Sequence, residues 1–274
     1  MPELIEYRLG RRDKGIPVET RISPLCQLES DIHNAHSLRL DVPASGWPPQ
    51  SVRLLSETLS EASSLRVFSL NGALGLSTGD LAFFFMNVLQ CRSLRILQLS
   101  DIPLDQLSPK QLAQVLAFTP ESAGLESISF INAHLSGEHL ISVVHFLRSW
   151  PRLRRINFHG NIFGHDQILA LVALLESAPS ITDVDLTNCH LDDHAVRLLA
   201  NSLDDNTSIR RLVLSANPIG VRGAARLSTM LRRNSTLEAL DLSGIRMDPT
   251  SMDALAQALD VNLTLRTLLL PIDP

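Results

Sequence analysis

The sequence predicts an α/β solenoid, with one curved parallel sheet on the concave side and helices on the convex side. Three observations carry this. Five segments starting 28 residues apart, at Leu125, Leu153, Ile181, Ile209 and Leu237, share one opening, apolar-x-x-apolar-x-apolar. That opening alternates with period two, which puts two side chains under a short strand and the intervening ones above it. The second half of each unit repeats apolar residues at steps of three and four, one stripe of an α-helix. No such unit buries its apolar side alone, so stacked neighbours create the core.

Residues 1–34 lie outside the repeat. Leu4–Leu9 and Val18–Ile22 both alternate around Arg11–Gly15, which predicts a β-hairpin covering the open edge of the first repeat. The repeat domain then runs over 35–274 with about nine strand units and about eight helices. Its first unit, from Ala35, is the weakest; Leu65 and Leu94 follow at 30 and 29, then Leu125 at 31. The extra residues fall near Gly72–Thr78 and Pro103–Pro109, as expected of loop insertions on one face. Helical stripes are read at Ile168, Leu171 and Leu175, at Val196, Leu199 and Leu203, and at Met252, Leu255 and Leu259. In the apolar run Phe83–Met86, only Phe84 or Phe85, and Val88 or Leu89, are expected to face the core beside Leu81. The remaining aromatic packs on a neighbouring helix or is exposed. Leu97, Leu99, Ile128, Phe130, Ile156, Phe158, Val184, Leu186, Leu212, Leu214, Leu240 and Leu242 are the predicted inward strand residues. The last unit, Leu265–Leu270, meets Pro271 and Pro274 with no helix after it. That reads either as a fragment of a longer protein or as a strand that closes the edge itself.

The repeat resembles the ribonuclease-inhibitor-like class of leucine-rich repeats over roughly residues 35–272. That class has units of 28 or 29 residues, a full helix per unit, and Asn or Cys at the ninth position. Asn161, Cys189 and Asn217 fit; Pro43, Ala73, Ile102, Ala133, Ile245 and Asp273 depart. The resemblance implies that the ninth residue satisfies loop backbone that would otherwise be buried unpaired.

Composition narrows the function classes. With 45% hydrophobic residues, a net charge of −5 and a pI near 6.0, the chain has no general attraction for nucleic acid or anionic membranes. The run Leu81–Met86 is too short to span a bilayer. No secretory signal opens the chain, and Cys26, Cys91 and Cys189 are scattered, so reduced thiols in the cytoplasm are expected (a host's cytosol if the chain is a delivered effector). Asn206, Asn234 and Asn262 begin sequons 28 apart. They are read as one structural position in which Asn tolerates the left-handed conformation ending a helix.

Catalytic chemistry finds no purchase. The run Cys189–His194 has ligand-like spacing, but Cys189 belongs to the core frame and Asp192 and Asp193 suit an acidic first helical turn. Gly160–Gly164 and Gly220–Gly223 match no phosphate-binding loop, so no cofactor and no metal are expected. Strand positions three, five and seven face away from the core, and they form the predicted partner surface. It comprises Arg39, Asn71, Gln98, Arg155, Asn157, His159, Asp183, Asp185, Thr187, Arg211, Ser215 and Asp241. Arg155 with Asp183, and Arg211 with Asp185 or Asp241, are expected to exchange salt bridges of small worth. The expected function is a non-enzymatic module that binds a protein partner through this face, as a bacterial effector or part of a larger sensor. It is expected to be monomeric, or else an end-to-end dimer through its C-terminal edge. The alternative is a GTPase regulator similar to Ran GTPase-activating protein, with Arg222 or Arg246 presented on a strand-to-helix loop.

Overall fold

Among the described residues, ten parallel strands follow one another across a single sheet in chain order, and a helix returns the chain after most of them. This is the arrangement in a computed structural model, which describes residues 4–8, 32, 35–42, 47–72, 75–117 and 124–271. The strands are β1 (Leu4–Arg8), β2 (Ser37–Asp41), β3 (Val67–Asn71), β4 (Ile96–Ser100), β5 (Ser127–Ile131), β6 (Arg155–Asn157), β7 (Asp183–Asp185), β8 (Arg211–Val213), β9 (Ala239–Asp241) and β10 (Thr267–Leu269). The helices are α1 (Pro49–Glu61), α2 (Thr78–Gln90), α3 (Pro109–Ala117), α4 (Gly137–Leu147), α5 (His165–Ser177), α6 (Asp193–Leu203), α7 (Val221–Leu231) and α8 (Pro249–Leu259). The expected insertion at Pro103–Pro109 holds a short 3-10 turn, Leu104–Gln106, ahead of α3.

The register is that of a repeat. Leu38, Phe68, Leu97, Ile128, Ile156, Val184, Leu212, Leu240 and Leu268 are direct neighbours across the sheet. All twelve predicted inward residues are buried. The sheet has one strand more than the nine units, because β1 pairs in parallel with β2. The second arm of the expected hairpin, at 18–22, lies outside the described residues.

Helix starts follow their sequences. Asp192 accepts a hydrogen bond from the Ala195 N–H at 2.8 Å, and Asp248 accepts one from Ser251 at 2.8 Å, each satisfying a donor left over at the first turn. Ser77 does the same for Asp80 at 3.2 Å.

Three expectations need correction. Phe84 and Phe85 are both buried, as are Val88 and Leu89, because α2 is enclosed by the sheet and by both neighbouring helices. Phe83 instead packs beneath the Arg53 guanidinium of α1, 5.5 Å from its ring centre. In α8 only Leu255 of the predicted stripe is buried; Met252 and Leu259 are exposed, along with Val261, Leu263 and Leu269. The stripe serves two neighbours in the interior of a stack, and α8 has one neighbouring helix among the described residues. Finally, Asn206, Asn234 and Asn262 do not take positive φ. Asn206 Oδ1 accepts from the Ser208 and Ile209 N–H groups of its own turn, and Asn234 and Asn262 also bridge units. The Asn234 side chain donates to Leu203 O and accepts from the Thr236 and Leu237 N–H groups. Asn262 repeats this with Leu231 O, Thr264 and Leu265. Asn234 is buried by that role.

Left-handed backbone sits elsewhere, at the eighth residue of seven consecutive units: Gly72, Asp101, Asn132, Gly160, Asn188, Ala216 and Gly244. It turns the chain off the strand. Gly, Asn and Asp bear that conformation at little cost, and Ala216 alone lacks such a side chain. Gly160 is doubly constrained, since a Cβ there would lie 1.9 Å from Asn132 Oδ1.

Two outcomes follow from packing and backbone. Leu186→Ala, in a fully enclosed layer, should cost about 2–5 kcal/mol, and Leu268→Ala clearly less, since Leu268 is only partly buried. Denaturant titration of both variants measures the difference. Ala216→Gly should stabilise by about 0.5 kcal/mol, the relief of left-handed strain exceeding the extra chain entropy lost on folding, and raise the melting temperature correspondingly.

Candidate functional site

The face of the sheet opposite the helices is assembled by register. Arg155, Asp183 and Arg211 are direct neighbours on β6, β7 and β8. Beside them run Asn157, Asp185, Val213 and Asp241. A third row, past the strand ends, holds His159, Thr187 and Ser215, where Thr187 and Ser215 share a hydroxyl hydrogen bond of 3.0 Å. In the N-terminal half, Arg39, Asn71 and Gln98 occupy the corresponding places on β2, β3 and β4. None of the twelve predicted residues is buried.

The two halves differ in how their polar groups are used. On the N-terminal side they are tied to each other. Ser69 donates to Gln98 at 2.8 Å, the Asn71 amide donates to Asp41 at 3.2 Å, and Arg39 lies 3.9 Å from Asp41. Ser127 and Ser129 on β5 also face this side yet are buried; they are short side chains between Ile96 and Arg155, and between Gln98 and Asn157.

On the C-terminal side, the expected cross-strand salt bridges do not form among the described residues. No ion pair joins Arg155 to Asp183, or Arg211 to Asp185 or Asp241. The carboxylates turn to local donors instead. Asp185 Oδ1 accepts from the Thr187 N–H at 2.9 Å and its hydroxyl at 2.7 Å. Asp241 Oδ1 accepts from the Ser243 N–H at 2.9 Å, and Asn157 Oδ1 from the His159 N–H at 2.8 Å. These three close the turn as each strand ends, a use of Asp and Asn side chains that competes with any cross-strand partner. Asp183 accepts from its neighbour, the Thr182 hydroxyl, at 2.6 Å. Arg155 and Arg211 remain exposed and unpaired among the described residues. A cross-strand pair does form one position earlier, off this face, between Arg210 and Glu238.

The loops bordering the site are fixed by the ninth-position residues. Asn217 is buried, and its Oδ1 accepts from the Cys189 and Leu191 N–H groups of the preceding unit at 2.8 and 3.0 Å. Its amide donates to Leu186 O and Leu214 O at 2.8 and 2.9 Å. Asn161 does the same with the Leu135 N–H, Phe130 O and Phe158 O. The Cys189 thiol donates to Phe158 O at 3.1 Å, and burial pushes its pKa up to about 12. Where Ala133 stands instead, its carbonyl takes the Leu104 N–H at 3.0 Å.

This disposes of the metal-like spacing at Cys189–His194. Cys189 is committed to the turn, Asp192 to the helix cap, and Asp193 Oδ1 to the Gly220 and Gly223 N–H groups of the next unit. His194 meets His165 on the exposed start of α5, 3.2 Å between ring nitrogens. Among the described residues no group of three or more His, Cys, Asp or Glu is placed to hold a metal ion. Arg222 lies within the first turn of α7, not on a loop, which leaves Arg246 as the one arginine of the two on a strand-to-helix connection. No described helix is long and apolar enough to cross a membrane.

The leucine-rich-repeat family model matches residues 205–228. Over 170 residues the chain is 28% identical to ribonuclease inhibitor of Sus scrofa, covering 61% of this chain and 37% of that protein. It is 28% identical over 139 residues to the Tonsoku-like protein of Bos taurus, covering 50% of this chain and 10% of that one. The chain thus spans from a tenth to just over a third of these relatives' lengths. Among solved structures, a Bacteroides fragilis protein overlays on 97% of this chain and 73% of its own length with a TM-score of 0.62 at 12% identity. The leucine-rich repeat-containing protein LegL7 from Legionella pneumophila overlays on 96% of this chain and 89% of its own with a TM-score of 0.57 at 16% identity. Repeat length, fold and these similarities are those of a leucine-rich-repeat solenoid of the ribonuclease-inhibitor-like class.

Asn217→Ala should cost about 2–4 kcal/mol, since it strands several buried backbone groups at once. Denaturant titration reads the loss, and faster amide exchange at Cys189 and Leu191 locates it.

Proposed function

We propose that the chain is a non-enzymatic module that binds a protein partner across β6 to β9 on the helix-free face of the sheet. One observation carries the reading. Arg155, Asp183 and Arg211 form an alternating row of charges on adjacent strands, and the two arginines find no carboxylate partner within the chain among the described residues. Their guanidiniums keep forked donor sets available for a partner's carboxylates. The row crosses three strands about 4.8 Å apart, and with the Asn157–Asp241 and His159–Ser215 rows it forms a patch that serves as the centre of a standard interface. Repeat proteins as a class present such extended surfaces, and the similarity to ribonuclease inhibitor, by its name a protein that acts on another protein, supports the same reading. Roles as an effector or as part of a larger sensor both rest on this surface.

Asp183 is the residue to reverse. Asp185 also caps the end of its strand, whereas the Asp183 carboxylate accepts a hydrogen bond only from the Thr182 hydroxyl among the described residues. Asp183→Lys should change stability by no more than about 0.5 kcal/mol and weaken partner capture roughly tenfold or more, because the partner then meets three like charges in a row. Affinity capture from a native lysate, quantified beside a melting curve and with Arg197→Glu on the helical side as control, makes the comparison. Unchanged capture by Asp183→Lys with loss in the control moves the binding surface to the helices.

A further inference from the structure

Away from the helix-free face, the turns that lead from α1 to β3 and from α2 to β4 enclose an open groove of about 560 Å³. Arg66, Arg92 and Arg95 line it, with Glu61 the one carboxylate, and Ser60 and Ser63 beside them. In a chain of net charge −5, the lining side chains carry an excess of two positive charges, one of which, Arg95, is faced by Glu126 just outside the lining. Arg66 and Arg95 occupy the same place in consecutive units, immediately before Val67 and Ile96, which are paired across the sheet. Their backbones are therefore about 4.8 Å apart, and like charges so placed repel. Further along the stack, the same place holds Arg210 beside Glu238, which neutralise each other. Arg95 has a looser version of that arrangement, with Glu126 of the next unit 4.0 Å away, whereas Arg66 has Arg95 as its neighbour and no ion pair among the described residues.

Backbone carbonyls hold the guanidiniums in position without cancelling their charge. Arg66 Nη1 donates to Ser93 O at 2.9 Å, and Arg95 Nη1 donates to Leu94 O at 3.0 Å and Arg92 O at 3.2 Å. Arg66 uses one nitrogen and keeps the rest of its fork; Arg95 uses one for carbonyls, and its Nε faces Glu126. The carboxylate nearest Arg95, Glu126, sits at 4.0 Å and is half exposed. Glu61 forms no ion pair, and the Arg92 side chain makes no hydrogen bond or ion pair, among the described residues.

We infer that this groove is a binding site for a phosphate monoester. The dianion carries about −1.5 to −2 charges at neutral pH, enough to engage both Arg66 and Arg92, which form no ion pair among the described residues, whereas a carboxylate carries one charge. Its three acceptor oxygens suit converging guanidinium forks, and the Ser63 hydroxyl is free of side-chain hydrogen bonds among the described residues. Among the described residues the lining has no aromatic side chain on which a base could stack, so a nucleotide's base gains nothing from them. The ester can come from a phosphorylated serine or threonine of a protein or from a small phosphorylated metabolite; both present the same group.

Calorimetric titration of the full chain tests this with three probes: glycerol 2-phosphate, a peptide carrying one phosphoserine, and acetate. Saturable binding of a phosphate probe, weakening as ionic strength rises, is expected, with acetate at least about tenfold weaker. Arg92→Glu should weaken phosphate binding about tenfold or more with an unchanged melting temperature, because that side chain supports nothing in the fold. Arg66→Lys, which keeps the charge but not the fork, should give a smaller loss. Asp183→Lys should leave phosphate binding intact, which separates this site from the sheet surface. Tighter binding of the phosphopeptide than of glycerol 2-phosphate assigns a protein-borne ester, and equal binding a small metabolite. No saturable heat with either phosphate probe, acetate as tight as phosphate, or wild-type affinity in Arg92→Glu would overturn the inference.

Discussion

A stack of repeats buries the backbone of its own turns, and every buried N–H and C=O there must find a partner. The fold depends on meeting that requirement at both ends of each strand. At the end where the chain leaves the strand, Asn161, Cys189 and Asn217 reach from one unit into the previous one. At the end where the chain returns, Asn234 and Asn262 do the same. These side chains bond backbone groups 26 to 31 residues away as well as their own turn. They therefore lock the register that keeps the inward Leu rows stacked. Hydrophobic burial supplies the driving force, but it is tolerant of slippage, and the buried amides are not.

The same dependence on neighbours explains where the stack weakens. Interior layers such as Leu186 and Leu199 are enclosed by units on both sides. The helix α8, with a unit on one side only, leaves Met252 and Leu259 exposed despite the same spacing of apolar residues. A one-dimensional array gives each unit its stability through its interfaces, so position in the stack matters as much as composition.

Charge is distributed by the same geometry. Arg210 and Glu238 share a strand-entry position and meet. Asp185 and Asp241 stand where a strand ends, and the nearest unsatisfied donor is their own backbone two residues on, so they turn there and leave the arginines across the sheet unpaired. Arg66 and Arg95 share the strand-entry position with the same sign and are held by carbonyls. Identical residue types thus become structural or stay available according to the donors and acceptors within reach, and both surfaces proposed for ligands carry charges the fold leaves unmatched.

The period of 28 and the alternation in each unit were enough to place every inward strand residue from Leu97 to Leu242, because a repeat offers one register that buries all its Leu rows together. The run of Gly, Asp and Asn at the eighth position was equally present in the sequence as a mark of left-handed backbone. The roles of Asn234 and Asn262 were not legible in the same way. Asn both tolerates positive φ and bridges backbone groups, and only the distance to Leu203 and Leu231 in the previous unit distinguishes the two. Pairing of the sheet-face charges was likewise a tertiary decision. Sequence places Arg155 beside Asp183, but a carboxylate chooses among all donors within about 3 Å, and those donors exist only once the turn has closed.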